Sequence, residues 1–95
     1  MKEHIIIIGG GLGGLFTGAI LAKEGYRITI FEKNKIIGGG LQSFKRRGHV
    51  FDTGMHILGG FRKNGSIRKL CTYLDIWDDL NIADVDSNCM DSIFF

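Results

Sequence analysis

The sequence has no proline and only two cysteines among its 95 residues. Cys71 and Cys89 fit neither a metal-binding spacing nor a C-x-x-C pair, so we expect two reduced thiols and no metal site. No stretch approaches the roughly 18 apolar residues of a membrane-spanning helix. The first apolar run, residues 5–8, ends in glycine too early for a signal peptide. These absences predict a cytoplasmic protein that touches a membrane peripherally at most.

An excess of charge of one sign is also absent. Twelve basic and ten acidic residues give a net charge of +2, which is no footprint of nucleic-acid binding. Hydrophobic residues make up 44% of the chain, enough for a globular core rather than disorder. The length fits one domain or part of one. Glycine is abundant instead, with 15 residues, which indicates backbone that bends sharply or approaches something closely.

The first third of the chain alternates strand, helix and strand. Residues 5–8 are four isoleucines, typical of a strand buried on both faces of a parallel sheet. Residues 12–25 have helical spacing and end at Gly25, a favourable residue after a helix; their apolar stripe is Leu12, Leu15, Phe16, Ala19 and Ala22. Residues 26–32 read as a second strand. This is a βαβ unit, whose crossover is almost always right-handed, and it predicts an α/β fold.

The remainder is less regular. Residues 33–40 form a glycine-rich loop, and residues 43–58 are one or two extended segments that break near Arg47-Gly48 and at Gly54. Residues 66–77 keep helical spacing, with Ser66 as the expected N-cap. Residues 93–95 resemble the start of a strand, so we expect the natural fold to continue.

A glycine fingerprint joins the first strand to the first helix. Residues 9–14, GGGLGG, satisfy G-x-G-x-x-G at Gly9, Gly11 and Gly14, in the strand–turn–helix context that the motif requires. Gly9 allows a tight turn, Gly11 lets the backbone approach a pyrophosphate, and Gly14 lets the helix pack on the strand. The N–H groups of the first helical turn would then hold the phosphates. The motif predicts a dinucleotide site.

Glu32 ends the second strand, roughly 20 residues after the fingerprint, where an acid accepts hydrogen bonds from the adenosine ribose. Such an acid would repel a 2′-phosphate. The alternative is a surface carboxylate beside Lys33. With the three glycines in register, we interpret Glu32 as part of the nucleotide site.

Two further stretches carry a family resemblance. The passage EKNKIIGGGLQSF, with Gly38 and Gly39, resembles the second conserved stretch of FAD proteins of the glutathione-reductase type, where it passes the FAD diphosphate. Residues 48–60, GHVFDTGMHILGG, extend the similarity to the phytoene-desaturase, carotenoid-isomerase and retinol-saturase branch, in which this stretch runs towards the flavin. The resemblance covers positions 4 to about 80.

This resemblance implies a truncated, three-layer Rossmann-like FAD/NAD(P)-binding domain with a parallel sheet, spanning residues 1–95 and lacking a substrate domain. The implied cofactor is FAD. The implied cofactor-binding residues are Gly9, Gly11, Leu12, Gly13, Gly14, Glu32, Lys33, Gly38, Gly39, Gly40, Gly54 and His56.

Two positions depart from the family pattern. Many relatives have arginine after the paired glycines, where this chain has Gly40, so a charge-assisted diphosphate contact is replaced by backbone N–H donors. Gly10 stands where relatives often carry alanine, which we expect only to loosen the turn.

Other polar residues have ordinary interpretations. His56 is a candidate acid/base near a flavin, although a lone histidine is more often structural, and Asp52 is more often a turn former than a ligand. The basic residues are interpreted mainly as solvated surface, with a peripheral membrane or diphosphate contact as the alternative; they are Lys45, Arg46, Arg47, Arg62, Lys63, Arg68 and Lys69. No catalytic residue is assigned.

Three functions compete. A full-length relative would use FAD to move hydride at a carbon–carbon double bond of an apolar polyene or isoprenoid, and this chain alone would have no turnover. A binding protein of the Rab GDP-dissociation-inhibitor type shares the architecture, but would have no reason to keep the three glycines and the acid. A plain NAD-binding Rossmann domain is disfavoured by the paired-glycine loop. Substrate, reaction direction and oligomeric state are left open.

Overall fold

The computed structural model describes residues 2–54 and 58–84. Its regular elements are β1 (His4–Ile8), α1 (Leu12–Lys23), β2 (Arg27–Phe31), β3 (Ser43–Arg46), β4 (His49–Asp52) and α2 (Ser66–Tyr73), with short 3₁₀ turns at Gly39–Leu41 and Trp77–Asp79. The predicted order of elements is confirmed throughout this part of the chain. The strand expected at residues 93–95 lies outside the described residues, as does His56.

β1 and β2 form a parallel pair, in register from His4 opposite Arg27 to Ile8 opposite Phe31. Parallel strands need a crossover connection, and α1 provides it. The α/β class and the parallel sheet are therefore confirmed. The tight turn into β2 uses Gly25, whose φ of +99° is one that an L-residue rarely adopts.

Only one face of this sheet is covered. Ile6, Ile8 and Phe31 are 57%, 81% and 56% exposed, so the prediction that the first strand is buried on both faces is wrong for the described residues. Burial of both faces requires helices on both sides, and α1 lies on one side alone. The third layer of the expected architecture is not among the described residues.

The face of α1 that packs on the sheet is the one that carries Gly18. Gly18 is buried, and a β-carbon there would lie 3.1 to 3.3 Å from the side chains of Ile30, Ile28 and Ile7. The predicted stripe is not the buried face, because Leu12, Ala19 and Ala22 are exposed. Since α1 is apolar almost all round, its periodicity cannot single out one side, and the closest approach falls where a side chain is missing.

β3 and β4 pair antiparallel as a hairpin that turns at Arg47 and Gly48. Both turn residues have positive φ, 52° and 79°, the combination that matches the twist of a two-residue hairpin. The rings of Phe44 and Phe51 stack across the strands with centroids 5.5 Å apart, and both are almost half exposed. The predicted break at Arg47-Gly48 is confirmed.

α2 is shorter than predicted, since it ends at Tyr73 and the chain reverses at Asp75, whose φ is 61°. Its N-cap is Gly65 rather than Ser66. Ser66 is the first helical residue because residues 60–65 form a tight turn in which Gly65 packs on the Gly60 carbonyl. Cys71, which is 3% exposed, is the one buried hydrophobic side chain of the part described. The described segments thus share a very small core.

The C-terminal ends of the two helices are joined by polar contacts. Lys23 Nζ lies 3.0 Å from Asp75 Oδ2 and also donates to the carbonyl of Tyr73. The Tyr73 hydroxyl donates to Glu24, and this hydrogen bond raises the pKa of Tyr73 above its usual value. These contacts hold α2 against the end of α1 away from the fingerprint.

Among the described residues, no helix has the length and apolar character needed to cross a bilayer.

Candidate dinucleotide site

The fingerprint loop leaves β1 at Gly9 and enters α1 at Gly11. The Gly9 N–H donates to the Phe31 carbonyl at 2.7 Å, and Gly9 has a φ of +106° that favours glycine. Gly11 is the N-cap, and its carbonyl accepts the first helical bond from Leu15 at 2.9 Å. The loop is therefore fixed at both ends. The backbone N–H groups of the first turn of α1, which have no partner within the helix, follow directly after it.

The glycines of the loop fall into two groups. A β-carbon on Gly14 would overlap the carbonyl oxygen of Gly9, so packing within the protein requires glycine there. By contrast, a β-carbon on Gly11 would have only the Gly39 α-carbon nearby, at 3.9 Å, and one on Gly13 or Gly40 would meet no atom within 4 Å. Protein packing does not explain these three glycines. Their surfaces are open to a ligand that approaches the backbone.

The second glycine loop lies directly on the first. The Gly38 N–H donates to the Gly10 carbonyl at 2.7 Å. Gly38 and Gly39 have φ values of 118° and 56°, and a β-carbon on Gly39 would stand 3.0 Å from the Gly11 α-carbon. The structure thus brings the fingerprint and the paired glycines together, although some two dozen residues separate them in sequence.

Glu32 is half-buried beside the fingerprint loop. Its Oε1 accepts the Gly10 N–H and its Oε2 accepts the Asn34 N–H, each at 2.9 Å. These backbone donors, that of Gly10 first, lower the pKa of Glu32 below its usual value. A carboxylate offers about four acceptor positions, so the ribose hydroxyls could still be accepted. Lys33 is exposed and contributes a weaker charge interaction.

Gly54 lies at the second loop, because a β-carbon there would overlap the Gly40 carbonyl oxygen. The strand leading to it is tied to the same loop, since the Thr53 N–H donates to the Gln42 carbonyl at 2.8 Å. Gly54 therefore lies beside Gly40 in this fold, and its expected place near the isoalloxazine stays a prediction. Asp52 pairs with Ser43 at the end of the hairpin and is exposed.

The contacts of three site residues were not predicted from the sequence. Gly10 is buried, and a β-carbon there would lie 3.3 Å from Glu32 Cβ and 3.4 Å from Ile37 Cγ2. Alanine there would require Glu32 or Ile37 to shift by a few tenths of an ångström, a contact that the sequence does not reveal; that glycine only loosens the turn stays a prediction. Asn34 and Gln42 were not predicted; Gln42 Nε2 donates to the Ile36 carbonyl at 3.2 Å and braces the second loop. Neither carries a motif signal.

The basic residues have different surroundings. The Arg68 guanidinium lies over the Trp77 ring, 4.7 Å from its centroid, and Phe61 flanks the same ring at 6.0 Å. Arg68 is therefore engaged by packing. Lys45, Arg46 and Arg47 are exposed on the hairpin.

Comparison with known proteins places these features in a family. Residues 7–74 match the family described as NAD(P)-binding Rossmann-like domain. The chain is 45% identical over 58 residues to a phytoene desaturase of Fusarium fujikuroi, covering 61% of the chain and 10% of the relative. It is 42% identical over 66 residues to an all-trans-retinol 13,14-reductase of Macaca fascicularis, covering 70% and 11%.

A solved structure shows the same fold. An oxidoreductase from Methanosarcina mazei superposes with a TM-score of 0.64 at 25% identity, over 78% of this chain and 17% of that one. The chain thus spans about a tenth of the length of the curated relatives it matches. The resemblance to the desaturase and retinoid branch, inferred from the glycine loops, is confirmed.

Proposed function

The chain belongs to the family of NAD(P)-binding Rossmann-like domains, and we propose that it grips the adenosine and diphosphate of FAD in a larger oxidoreductase. One observation carries this proposal: packing within the protein does not require glycine at Gly11, Gly13 or Gly40. A ligand that contacts the backbone at these positions would require it. Gly11 and Gly13 lie at the start of α1, where backbone N–H groups and the helix dipole attract anions. Glu32 would accept from the ribose at the neighbouring strand end.

The second loop favours FAD over NAD(P). A dinucleotide fold that binds NAD needs the fingerprint and the acid alone. Here Gly38 and Gly39 add a second backbone surface beside the fingerprint, in hydrogen-bond contact with Gly10. We assign this surface to the opposite side of the FAD diphosphate, with Leu12, Lys33 and Gly54 at the margins of the site. NAD(P) is the second candidate ligand.

A non-catalytic binding role of the GDP-dissociation-inhibitor type has less support. Such a role makes no use of a diphosphate site, and protein packing gives it no other reason for Gly11 and Gly13, where a β-carbon would meet no protein atom closer than 3.9 Å. Their retention favours nucleotide binding.

For the complete oxidoreductase we propose a substrate with a carbon–carbon double bond in an apolar polyene or isoprenoid. One relative is named a desaturase and the other a reductase, so the reaction direction is not part of the proposal. Bound flavin would accept or donate the hydride. The residues of this chain would bind and orient it, and we expect no turnover from the chain alone.

We also propose a cytoplasmic protein that contacts a membrane peripherally through the hairpin. Phe44 and Phe51 are 45% and 48% exposed, and Lys45, Arg46 and Arg47 add positive charge that attracts anionic lipid. Sedimentation with anionic vesicles tests this contact. The double substitution Phe44→Ser/Phe51→Ser should abolish binding, and equal binding by that variant would refute it.

The cofactor proposal is tested by the visible spectrum of the full-length protein as purified. Flavin absorption bands, or their appearance on reconstitution with FAD, are the expected result. A colourless protein that FAD cannot reconstitute would overturn the proposal. Titrating this chain with FAD, NAD⁺ and NADP⁺ separately distinguishes the ligands, and a preference for NAD⁺ would favour the second candidate.

A further inference from the structure

We infer that Glu32 is a positioning residue that joins the two glycine loops into a diphosphate cradle before any ribose is bound. The inference rests on the proposed function only in taking a diphosphate as the ligand. A ribose acceptor would act after the nucleotide arrives. The contacts of Glu32 give it a role that needs no nucleotide.

The argument begins with a chain of hydrogen bonds. Glu32 Oε1 accepts the Gly10 N–H at 2.9 Å, and the Gly10 carbonyl accepts the Gly38 N–H at 2.7 Å. Within the described residues, the Gly10–Gly38 bond is the only backbone hydrogen bond between the two loops. The carboxylate therefore holds the residue on which the second loop depends.

The other oxygen fixes the carboxylate itself. Oε2 accepts the Asn34 N–H at 2.9 Å, so Glu32 is held from its own side of the loop as well as from Gly10. The methylene groups pack under Gly10, where a β-carbon would lie 3.3 Å from Glu32 Cβ. Because both carboxylate oxygens accept hydrogen bonds and the methylene groups lie against Gly10, the side chain has little conformational freedom. Its fixed position in turn holds the backbone of Gly10.

Charge repulsion and positioning predict opposite changes in pyrophosphate affinity when Glu32 is replaced, so an affinity measurement can distinguish them. A carboxylate close to a diphosphate repels it, so removing the charge should tighten binding of a ligand without ribose. If Glu32 positions the loops, the same substitution should weaken binding, because the backbone donors lose their arrangement.

The experiment measures inorganic pyrophosphate binding by calorimetry for the 95-residue chain and its variants. We expect Glu32→Ala to lower the affinity at least fivefold. Glu32→Gln should lower it less, because the amide oxygen still accepts from Gly10 while the amide nitrogen cannot accept from Asn34. Glu3→Gln, which removes an exposed carboxylate elsewhere, is the matched control and should leave the affinity unchanged. Unchanged or tighter pyrophosphate binding by folded Glu32→Ala would overturn the inference.

A second measurement needs no substitution. In a ¹H–¹⁵N titration of the wild-type chain, ionisation of Glu32 should shift the amide resonances of its direct partners, Gly10 and Asn34, and also that of Gly38, with one common midpoint. Lys33 is the charged side chain that acts on Glu32. A Gly38 resonance that does not follow the Glu32 midpoint would overturn the coupling.

These results separate the inference from the proposed function. FAD binding with unchanged pyrophosphate affinity in Glu32→Ala would leave the function and remove the positioning role. A coupled Gly38 titration and weakened pyrophosphate binding, in a full-length protein that takes up no FAD, would support the positioning role and remove the FAD assignment.

Discussion

Gly39 lies so close to Gly11 that a β-carbon on Gly39 would stand 3.0 Å from the Gly11 α-carbon. Gly39 also has a left-handed φ of 56°. Two independent constraints therefore require glycine at this contact between loops. Neither constraint applies to Gly40, the next residue, so substitutions at Gly39 and Gly40 can be compared directly.

Gly39→Ala should reduce the free energy of unfolding by about 1–2 kcal/mol, the cost of a left-handed conformation for an L-residue. Gly40→Ala should change it by less than about 0.5 kcal/mol, because a β-carbon there meets nothing within 4 Å. Urea denaturation followed by circular dichroism gives both values. Equal losses for the two variants would contradict the loop contact.

Gly11→Ala and Gly14→Ala should separate binding from stability. Alanine at Gly11 changes only an N-cap, at a cost below about 1 kcal/mol, but its methyl group would occupy the space proposed for the diphosphate. We expect FAD affinity to fall at least about tenfold, or roughly 1.4 kcal/mol. Alanine at Gly14 would overlap the Gly9 carbonyl, at a cost of about 1–3 kcal/mol of stability. Fluorescence titration and urea denaturation measure the two effects; a Gly11→Ala variant with normal FAD affinity would argue against the site.

Acid should weaken the fold through Glu32. Its pKa is lowered in the folded chain, so its contribution to stability is present above the ordinary glutamate pKa, about 4.3, and is lost as pH falls through the lowered folded value. Urea midpoints of wild type and Glu32→Gln should therefore differ near pH 6 and converge towards pH 3. If the difference between the two urea midpoints stayed constant from pH 6 to pH 3, the negative charge of Glu32 would not be the source of its contribution to stability.

Alkali should act at the other end of α1. The hydrogen bond to Glu24 raises the pKa of Tyr73 in the folded chain, so its stabilising contribution is present below the ordinary tyrosine pKa, about 10, and is lost as pH rises through the raised value. Ultraviolet titration of the phenolate should show the Tyr73 midpoint falling in Glu24→Gln. An unchanged Tyr73 midpoint in that variant would contradict the hydrogen bond to Glu24.

Arg47→Asn should stabilise the hairpin. Arg47 has a φ of 52° in the turn, and Asn followed by Gly is the favoured pair at this turn type. We expect a gain of about 0.5–1 kcal/mol. Gly48→Ala is the opposing control and should destabilise, since Gly48 has a φ of 79°. Destabilisation by Arg47→Asn would contradict the turn geometry.

Much of the fold follows from local patterns in the sequence. The isoleucine run, the glycine fingerprint and the Arg47-Gly48 turn each report on neighbouring residues, and β1, α1, β2 and the hairpin were predicted from them. The face that α1 presents was not, because it depends on where Ile7, Ile28 and Ile30 meet Gly18. Contact between distant residues leaves no periodic trace in an apolar helix.

The candidate site divides in the same way. Gly11, Gly14 and Glu32 were found because each belongs to a motif of fixed spacing. Gly10 and Asn34 were not, because their contribution is a backbone N–H, which any residue type except proline provides. Only the fold shows that both N–H groups point at the carboxylate of Glu32.

The pairing of β1 with β2 has a consequence for biosynthesis. Residues 4–39 contain both strands, α1, the fingerprint, Glu32 and the paired glycines. At a synthesis rate of about 5–20 residues per second, a ribosome makes this stretch in about 2–7 s, and every hydrogen bond of the cradle lies within it. A nascent chain would then carry the two glycine loops already joined, beside a two-strand sheet on which Ile6, Ile8 and Phe31 are exposed to solvent and to chaperones.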